Sequence, residues 1–134
     1  MAEATSWLST PYRHQASAKQ QGTDCLGLVR GVYRALFGVE PESPPPYRAS
    51  PRHWGAGEPL LDAARRNLNS VAMPDRGDVV LFRLHRAAPA SHCGIMIEAD
   101  RFIHAYRGRG VIISVYAAYW QRRLAGAFAF PETL

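Results

Sequence analysis

The sequence predicts an α+β domain in which helices precede an antiparallel sheet of about five strands. Two periodicities indicate this class: apolar residues recur every three to four positions in the first half of the chain, and at every second position in short runs of the second half. The 134 residues, 47% hydrophobic and 20% charged, fit a single domain over residues 1–134 and argue against a disordered or fibrous chain.

The clearest local signal is a helix near the beginning of the chain. Thr23 is its candidate N-cap, Asp24 places a negative charge in the first turn, and Gly38 stands where a glycine commonly ends a helix. Gly27 and Gly31 leave room for another element to approach this helix closely. The apolar stripe of the helix consists of Leu26, Val29, Tyr33, Leu36 and Phe37.

Turn-forming residues divide the rest of the chain. Residues 1–22 predict an irregular lead-in with room for one short helix, and residues 41–57 predict a Pro-rich loop, because five of the ten prolines fall within residues 41–51. A second helix is expected over residues 58–68. The predicted strands are Asp78–Leu84, His92–Glu98, Arg101–Arg107, Val111–Val115 and Leu124–Phe130.

The charge pattern favours an anionic partner other than nucleic acid. The formal net charge is +5, and 15 of the 16 basic residues are arginine. These arginines are scattered, with pairs at Arg65/Arg66 and Arg122/Arg123, and form no run with interleaved aromatics. An anionic cell-wall polymer is compatible with this pattern.

No targeting or membrane segment is expected from the residues present. Glu3 stands where a secretory signal carries basic residues, and no apolar core of ~7–15 residues follows it. No stretch approaches the ~18 apolar residues of a membrane helix. We therefore expect synthesis in the cytoplasm without a signal peptide, and no insertion into a membrane.

Cys25 is the first candidate for chemistry. It lies in the first turn of the predicted helix, where the helix dipole and free backbone N–H groups favour a nucleophilic thiolate. From position alone, a small buried hydrophobic residue is an equally good interpretation.

Two strand histidines supply a base and an orienting group. Alternation places His92 on one face of its strand and Cys93 on the other, so that Cys93 points away from His92. Antiparallel pairing with the next strand would bring His104 beside His92. Cys25, His92 and His104 then form a Cys-His-His triad if the helix N-terminus lies against the sheet.

Other arrangements of reactive residues are poorly supported. A zinc site would need short paired ligand spacings, which Cys25, Cys93 and the strand histidines lack. Asp75 and Asp78 lie in a turn-like context rather than as paired catalytic carboxylates. The remaining histidines, expected to be solvated in loops, are His14, His53 and His85.

Four segments together carry a family resemblance. They are the runs DCLGLV at 24–29, RGDVVLF at 76–82, HCGIMI at 92–97 and FIHA at 102–105. In this order they resemble the NlpC family of papain-like bacterial cell-wall peptidases, and the similarity extends from about Thr10 to Pro131. Residues 10–15 and 120–124 also resemble the phage and gene-transfer-agent branch of that family.

The resemblance implies a papain-like fold and a role for each matching residue. Cys25 is implied as nucleophile, His92 as general base and His104 as the group that orients His92, without metal or organic cofactor. Tyr12 matches a tyrosine that lines the family's active site, and Asp24 matches a residue that helps bind the free amino end of the substrate. The implied substrate is a peptidoglycan stem peptide, cut between D-glutamate and the diamino acid.

Three features depart from the family's pattern. Leu26 follows the nucleophile where many members have serine, which removes one hydrogen-bond partner for a substrate amine. Gln15 and Ala16 replace a pair of glycines, and the Pro-rich loop has no counterpart. Two alternative functions stay open: a non-catalytic tail or assembly component, and a papain-like amidase or acyltransferase with another acceptor.

The implied substrate leads to an expectation about how the protein reaches the cell wall. Peptidoglycan lies outside the cytoplasmic membrane, so we expect the protein to be carried to the periplasm or cell wall by a phage-like particle. Phage-like tail proteins are the expected partners, with an apolar docking patch around Tyr47 and Trp54.

Overall fold

A computed structural model describes residues 1–51 and 54–133. His53, predicted in a solvated loop, lies outside the described residues. The helices are α1 (Ala2–Thr5), α2 (Cys25–Phe37), α3 (Pro59–Asn67) and α4 (Ala118–Gln121). The strands are β1 (Ser17–Ala18), β2 (Gly22–Thr23), β3 (Asn69–Val71), β4 (Val79–Phe82), β5 (His92–Glu98), β6 (Arg101–Tyr106), β7 (Gly110–Val115) and β8 (Leu124–Ala129).

The α+β prediction is confirmed. Six strands form an antiparallel sheet in the order β3-β8-β4-β5-β6-β7, and β1 pairs with β2 in a separate two-stranded sheet. The five predicted strands are all present, and the sixth, β3, pairs with β8. Each side of the large sheet carries its own cluster of buried apolar side chains.

Helix α2 packs on one side of the sheet, against β5 and β6. Its residues Leu28 and Val32 share a core with Ile95 and Ile103. On the other side lies a second cluster, in which half of the buried residues are aromatic. It consists of Val80, Phe82, Met96, Phe102, Trp120 and Ala127. The site described below lies at the end of the sheet where β5 begins, next to the beginning of α2.

The start of α2 differs from the prediction in one respect. Asp24, rather than Thr23, is the N-cap: its carboxylate accepts a hydrogen bond from the Gly27 N–H at 2.7 Å. Thr23 instead ends β2 and donates its hydroxyl to the Asp24 carbonyl at 2.9 Å. Gly38 ends the helix in the left-handed conformation, as predicted.

The lead-in contains more regular structure than expected. It includes the short helix α1 and the β1–β2 pair, and Trp7 from this segment packs against Gly31 of α2. A Cβ on Gly31 would lie 2.1 Å from the Trp7 ring, which confirms that this glycine permits a close approach. Among the described residues, no helix has the length and apolar character needed to cross a bilayer.

Candidate active site

Cys25 is the first residue of α2 and lies over the beginning of β5. Its side chain is partly buried, and its Sγ is 3.8 Å from the Ser91 carbonyl oxygen. Hydrogen bonds from the Cys93 thiol and from His92, together with the charge of His92, lower the pKa of Cys25, although burial opposes this. The site therefore favours the thiolate, which is the nucleophilic form of cysteine.

His92, His104 and Ser114 form a hydrogen-bonded chain across three neighbouring strands. His92 Nε2 lies 2.7 Å from His104 Nδ1, and His104 Nε2 lies 2.8 Å from Ser114 Oγ. The two histidines are 5% and 0% exposed. The predicted pairing of these two histidines is confirmed, and Ser114 is an addition that the sequence pattern did not indicate.

The space that His104 needs is provided by Gly94. A Cβ at that position would meet the Ile103 carbonyl oxygen at 2.8 Å and the His104 Cβ at 3.1 Å. Any larger residue at position 94 would therefore displace the backbone or the histidine.

Aromatic rings pack against His92 and restrict the orientation of its imidazole ring. The imidazole packs beside Phe82 and Trp120, with centroid distances of 6.3 and 5.7 Å and interplanar angles of 29° for both, and these two rings contact each other at 4.9 Å. Trp120 also contacts the His104 ring edge-on at 5.3 Å. This apolar surrounding explains why burial lowers the pKa of His104 to about 3, with the charge of His92 acting in the same direction. His104 is therefore neutral at pH 7.

Cys93 faces the side of the sheet that carries α2, as alternation predicts, and is 1% exposed. That side is also where Cys25 lies, and the two residues line one cavity. The hydrogen bond to Cys25 and burial raise the pKa of Cys93 well above its ordinary value, so Cys93 remains a thiol that donates to Cys25. The sequence analysis did not identify this contact, because alternation gives the face of a residue and not its neighbours across the core.

Asp24 and Tyr12 both lie beside Cys25. Asp24 is 2% exposed, and its Oδ2 accepts hydrogen bonds from the Gln15 N–H at 2.8 Å and from the Tyr47 hydroxyl. Tyr12 is half-buried and makes a parallel bridge with Thr23. Burial, with the nearby Cys25 and Asp24, raises the pKa of Tyr12 to about 12, so its hydroxyl remains protonated.

A cavity of about 580 Å³ opens beside Cys25. It is lined by residues of the Pro-rich segment 41–51, of α2 and of α3 along most of its length. Glu42 fixes this segment to α3 through two contacts of 3.1 Å with the Arg66 guanidinium. The lining residues nearest to the chemistry are Tyr12, Asp24, Cys25, Leu26, Ser91 and Cys93.

Tyr47 and Trp54, expected in a docking patch, both line this cavity. The Tyr47 hydroxyl is directed inward to Asp24, and the Trp54 indole N–H donates to the Arg48 carbonyl at 2.7 Å. His14, expected to be free in solvent, is exposed but lies 2.8 Å from the Tyr47 carbonyl oxygen through its Nε2. Within the described part of the chain, no three His, Cys, Asp or Glu side chains are grouped to hold a metal ion.

Comparison with known proteins finds similarity to one family. The sequence model of the NlpC/P60 family matches residues 9–129. The gamma-DL-glutamyl hydrolase of Bacillus subtilis (strain 168) is 32% identical over 131 residues, which are 97% of this chain and 28% of that protein. The murein DD-endopeptidase MepS/murein LD-carboxypeptidase of Escherichia coli (strain K12) is 34% identical over 125 residues, which are 92% of this chain and 57% of that protein.

A solved structure shows the same fold. An NLP/P60 family protein from Staphylococcus aureus superposes with a TM-score of 0.68 at 23% identity, over 97% of this chain and 39% of that one. The chain thus corresponds to one part of these longer proteins. The fold is the papain-like α+β arrangement that the sequence predicted.

Proposed function

The chain belongs to the NlpC/P60 family, and we propose that it is a cysteine peptidase that hydrolyses an amide bond in the stem peptides of bacterial peptidoglycan. The bond proposed is the one between D-glutamate and the diamino acid. The names of the two relatives, a glutamyl hydrolase and a murein endopeptidase, support this substrate class. The observation that carries the proposal is Cys25 at the beginning of α2, beside the hydrogen-bonded chain that begins at His92.

The neutral state of His104 suggests how the proton is handled. A neutral imidazole has one N–H group, and we assign it to Nε2, where it donates to Ser114 Oγ. His104 Nδ1 then accepts from His92 Nε2–H, which leaves His92 Nδ1 to receive the proton of Cys25. His104 thereby orients His92 and supports its positive charge without losing a proton itself.

In the first step, the Cys25 thiolate attacks the substrate carbonyl carbon while His92 is protonated. The backbone N–H groups at the beginning of α2 stabilise the negative charge that develops on the carbonyl oxygen. Asp24 caps the Gly27 N–H, and intrahelical bonding begins with Leu28 N–H to the Asp24 carbonyl, so the Cys25 and Leu26 amides precede the bonded turns. His92 then gives its proton to the leaving amine as the C–N bond breaks, and a Cys25 thioester remains.

In the second step, water attacks the thioester and His92 takes its proton. The carboxylic acid product leaves, and Cys25 is released as a thiolate paired with protonated His92.

Digestion of purified sacculi tests the proposed activity. The wild-type protein should release soluble fragments whose masses assign the cut between D-glutamate and the diamino acid. Cys25→Ala and His92→Ala should lower the rate by about 10³-fold or more. His85→Ala is the matched histidine control and should retain full activity, because His85 is exposed and outside the cavity. Intact sacculi after wild-type treatment would contradict the peptidase assignment, and transfer to an added amine would favour an acyltransferase.

We further propose that the protein acts at the cell wall as part of a phage-like tail. The support is the resemblance of residues 10–15 and 120–124 to the phage and gene-transfer-agent branch. Mass spectrometry of purified particles should detect this chain. Particles that lack it and still deliver DNA normally would contradict the tail assignment, while the sacculus digest would be unaffected.

A further inference from the structure

We propose that Tyr47 makes the Asp24 end of the cavity a site for an uncharged part of the substrate, so that stem peptides with a covalently blocked amino end are accepted. This inference rests on the proposed peptidase function. It concerns which peptides enter the site and not the chemistry at Cys25. Stem peptides still linked to the glycan strand carry such a block.

The first argument is the saturation of the Asp24 carboxylate. A buried carboxylate needs hydrogen-bond donors, and Asp24 has three within the protein. Oδ1 accepts from the Gly27 N–H at 2.7 Å, and Oδ2 accepts from the Gln15 N–H at 2.8 Å and from the Tyr47 hydroxyl. A substrate ammonium group that came to bind Oδ2 would have to compete with Tyr47.

The second argument is that Tyr47 is firmly positioned. Its carbonyl oxygen is 2.8 Å from His14 Nε2, and its ring contacts His14 edge-on at 5.1 Å and Trp54 at 6.3 Å. Three consecutive prolines precede it and restrict the backbone. Burial and the Asp24 carboxylate raise the pKa of the Tyr47 hydroxyl, which therefore stays a donor throughout the usual pH range.

The third argument is the apolar surface next to this carboxylate. Leu26, directly after Cys25, lines the cavity with an alkyl side chain that cannot hydrogen-bond an amine. The rings of Pro44, Pro45 and Pro46 also line the cavity. An uncharged acyl group is compatible with this lining, whereas an ammonium group would lose hydration there.

A pair of synthetic peptides tests the inference. L-alanyl-γ-D-glutamyl-diamino acid is compared with the same peptide acetylated at its amino end. The wild-type protein should cleave both with similar kcat/KM. Tyr47→Phe exposes an acceptor on Asp24 and should shift the ratio toward the free-amine peptide by about tenfold, the value of one hydrogen bond to a charged group. Tyr119→Phe, the same chemical change at a residue 50% exposed, should leave the ratio unchanged.

A second measurement does not depend on peptidase activity. The rate of Cys25 alkylation by cationic bromoethylamine is divided by its rate with neutral iodoacetamide, so that a change in thiol reactivity cancels. Tyr47→Phe should raise this quotient several-fold. A raised quotient without cleavage of either peptide would overturn the proposed peptidase and leave the role of Tyr47 standing. Cleavage with a strong wild-type preference for the free amine, or with a ratio and a quotient that Tyr47→Phe does not change, would overturn the role of Tyr47.

Discussion

At the scale of single residues, Cys93 determines how readily Cys25 ionises. The thiol of Cys93 donates to Cys25 from a position that is 1% exposed. In Cys93→Ala this donor is lost, so the pKa of Cys25 should rise, and the midpoint of its alkylation rate against pH should move upward by about one unit. Iodoacetamide kinetics measure this directly, because Cys25 is then the one remaining cysteine.

Cys93→Ser is the matched control for this prediction. A serine hydroxyl keeps a donor at the same position, so the midpoint should stay close to that of the wild type. An unchanged midpoint in Cys93→Ala would show that His92 alone stabilises the thiolate.

His104 links the site to the pH dependence of stability. With its pKa lowered to about 3 in the folded protein, it binds a proton on unfolding at any pH between about 3 and the ordinary value of 6.5. The unfolded state then holds more protons, so the free energy of unfolding should fall as the pH drops through this window, by at most about 1.4 kcal/mol per pH unit. His104→Gln removes this contribution. The free energy of unfolding measured with urea should therefore depend less on pH in this variant than in the wild type.

His85→Gln serves as the control for that slope. His85 is exposed, so its replacement should leave the dependence of stability on pH unchanged. Since carboxylates also titrate in this range, the informative quantity is the difference between wild type and variant. Equal slopes for wild type and His104→Gln would contradict a neutral His104.

At the scale of elements, the contact between α2 and the segment that follows α1 depends on a missing side chain. In Gly31→Ala the new Cβ would lie 2.1 Å from the Trp7 ring, and overpacking of this kind costs about 1–3 kcal/mol. In a Trp7→Ala background the same substitution should stabilise the protein by about 1 kcal/mol, since alanine favours a helix over glycine. Urea unfolding of the wild type, the two single variants and the double variant measures this coupling. Additive changes in the free energy of unfolding would contradict it.

The one-turn helix α4 places Trp120 over the two histidines. Trp120→Ala should cost about 3–5 kcal/mol of stability and lower kcat more than it raises KM, because the His92 ring loses one of the aromatic rings packed against it. Trp120→Phe keeps a flat ring there and should recover most of kcat. Steady-state kinetics on folded samples compare both variants with the wild type. Equal kcat values for Trp120→Ala and the wild type would argue against a positioning role of Trp120.

Secondary-structure elements were predicted correctly where the sequence pattern within the element was sufficient to define it. The strands from β4 to β8 each have four or more residues, and each lies within two residues of its predicted limits. β3 has three residues, too few for a period, and the β1–β2 pair has two residues on each strand. The N-cap was misplaced by one residue because Thr23 and Asp24 are both good caps, and the strand pairing of Thr23 decides between them.

The candidate site was predictable only in part, for the same reason. The histidine pair follows from alternation on two consecutive strands. Ser114 requires the register of β6 with β7, and Tyr47 requires the path of a segment that has no period at all. These contacts are set by tertiary structure, which a single sequence does not display.

At the scale of the whole molecule, the strands of the large sheet should differ in stability. β6 lies between two partners and is largely buried, whereas β3 is a short edge strand that pairs with β8. Backbone amides of β6 should exchange hydrogen only through global unfolding, and those of β3 through local opening. Hydrogen exchange followed by NMR measures both, and equal protection would contradict a sheet stabilised at its centre.

The chain of hydrogen bonds from His92 through His104 to Ser114 has a consequence for the order of folding. Its links join residues 12 and 10 positions apart, whereas Cys25 meets Ser91 across 66 positions. Because closing a longer loop costs more entropy, the β5–β7 meander is expected to form before the N-terminal segment docks on it. The side chain proposed as the base would then be in place before the proposed nucleophile, and a newly made chain would be unable to hydrolyse a substrate until folding is complete.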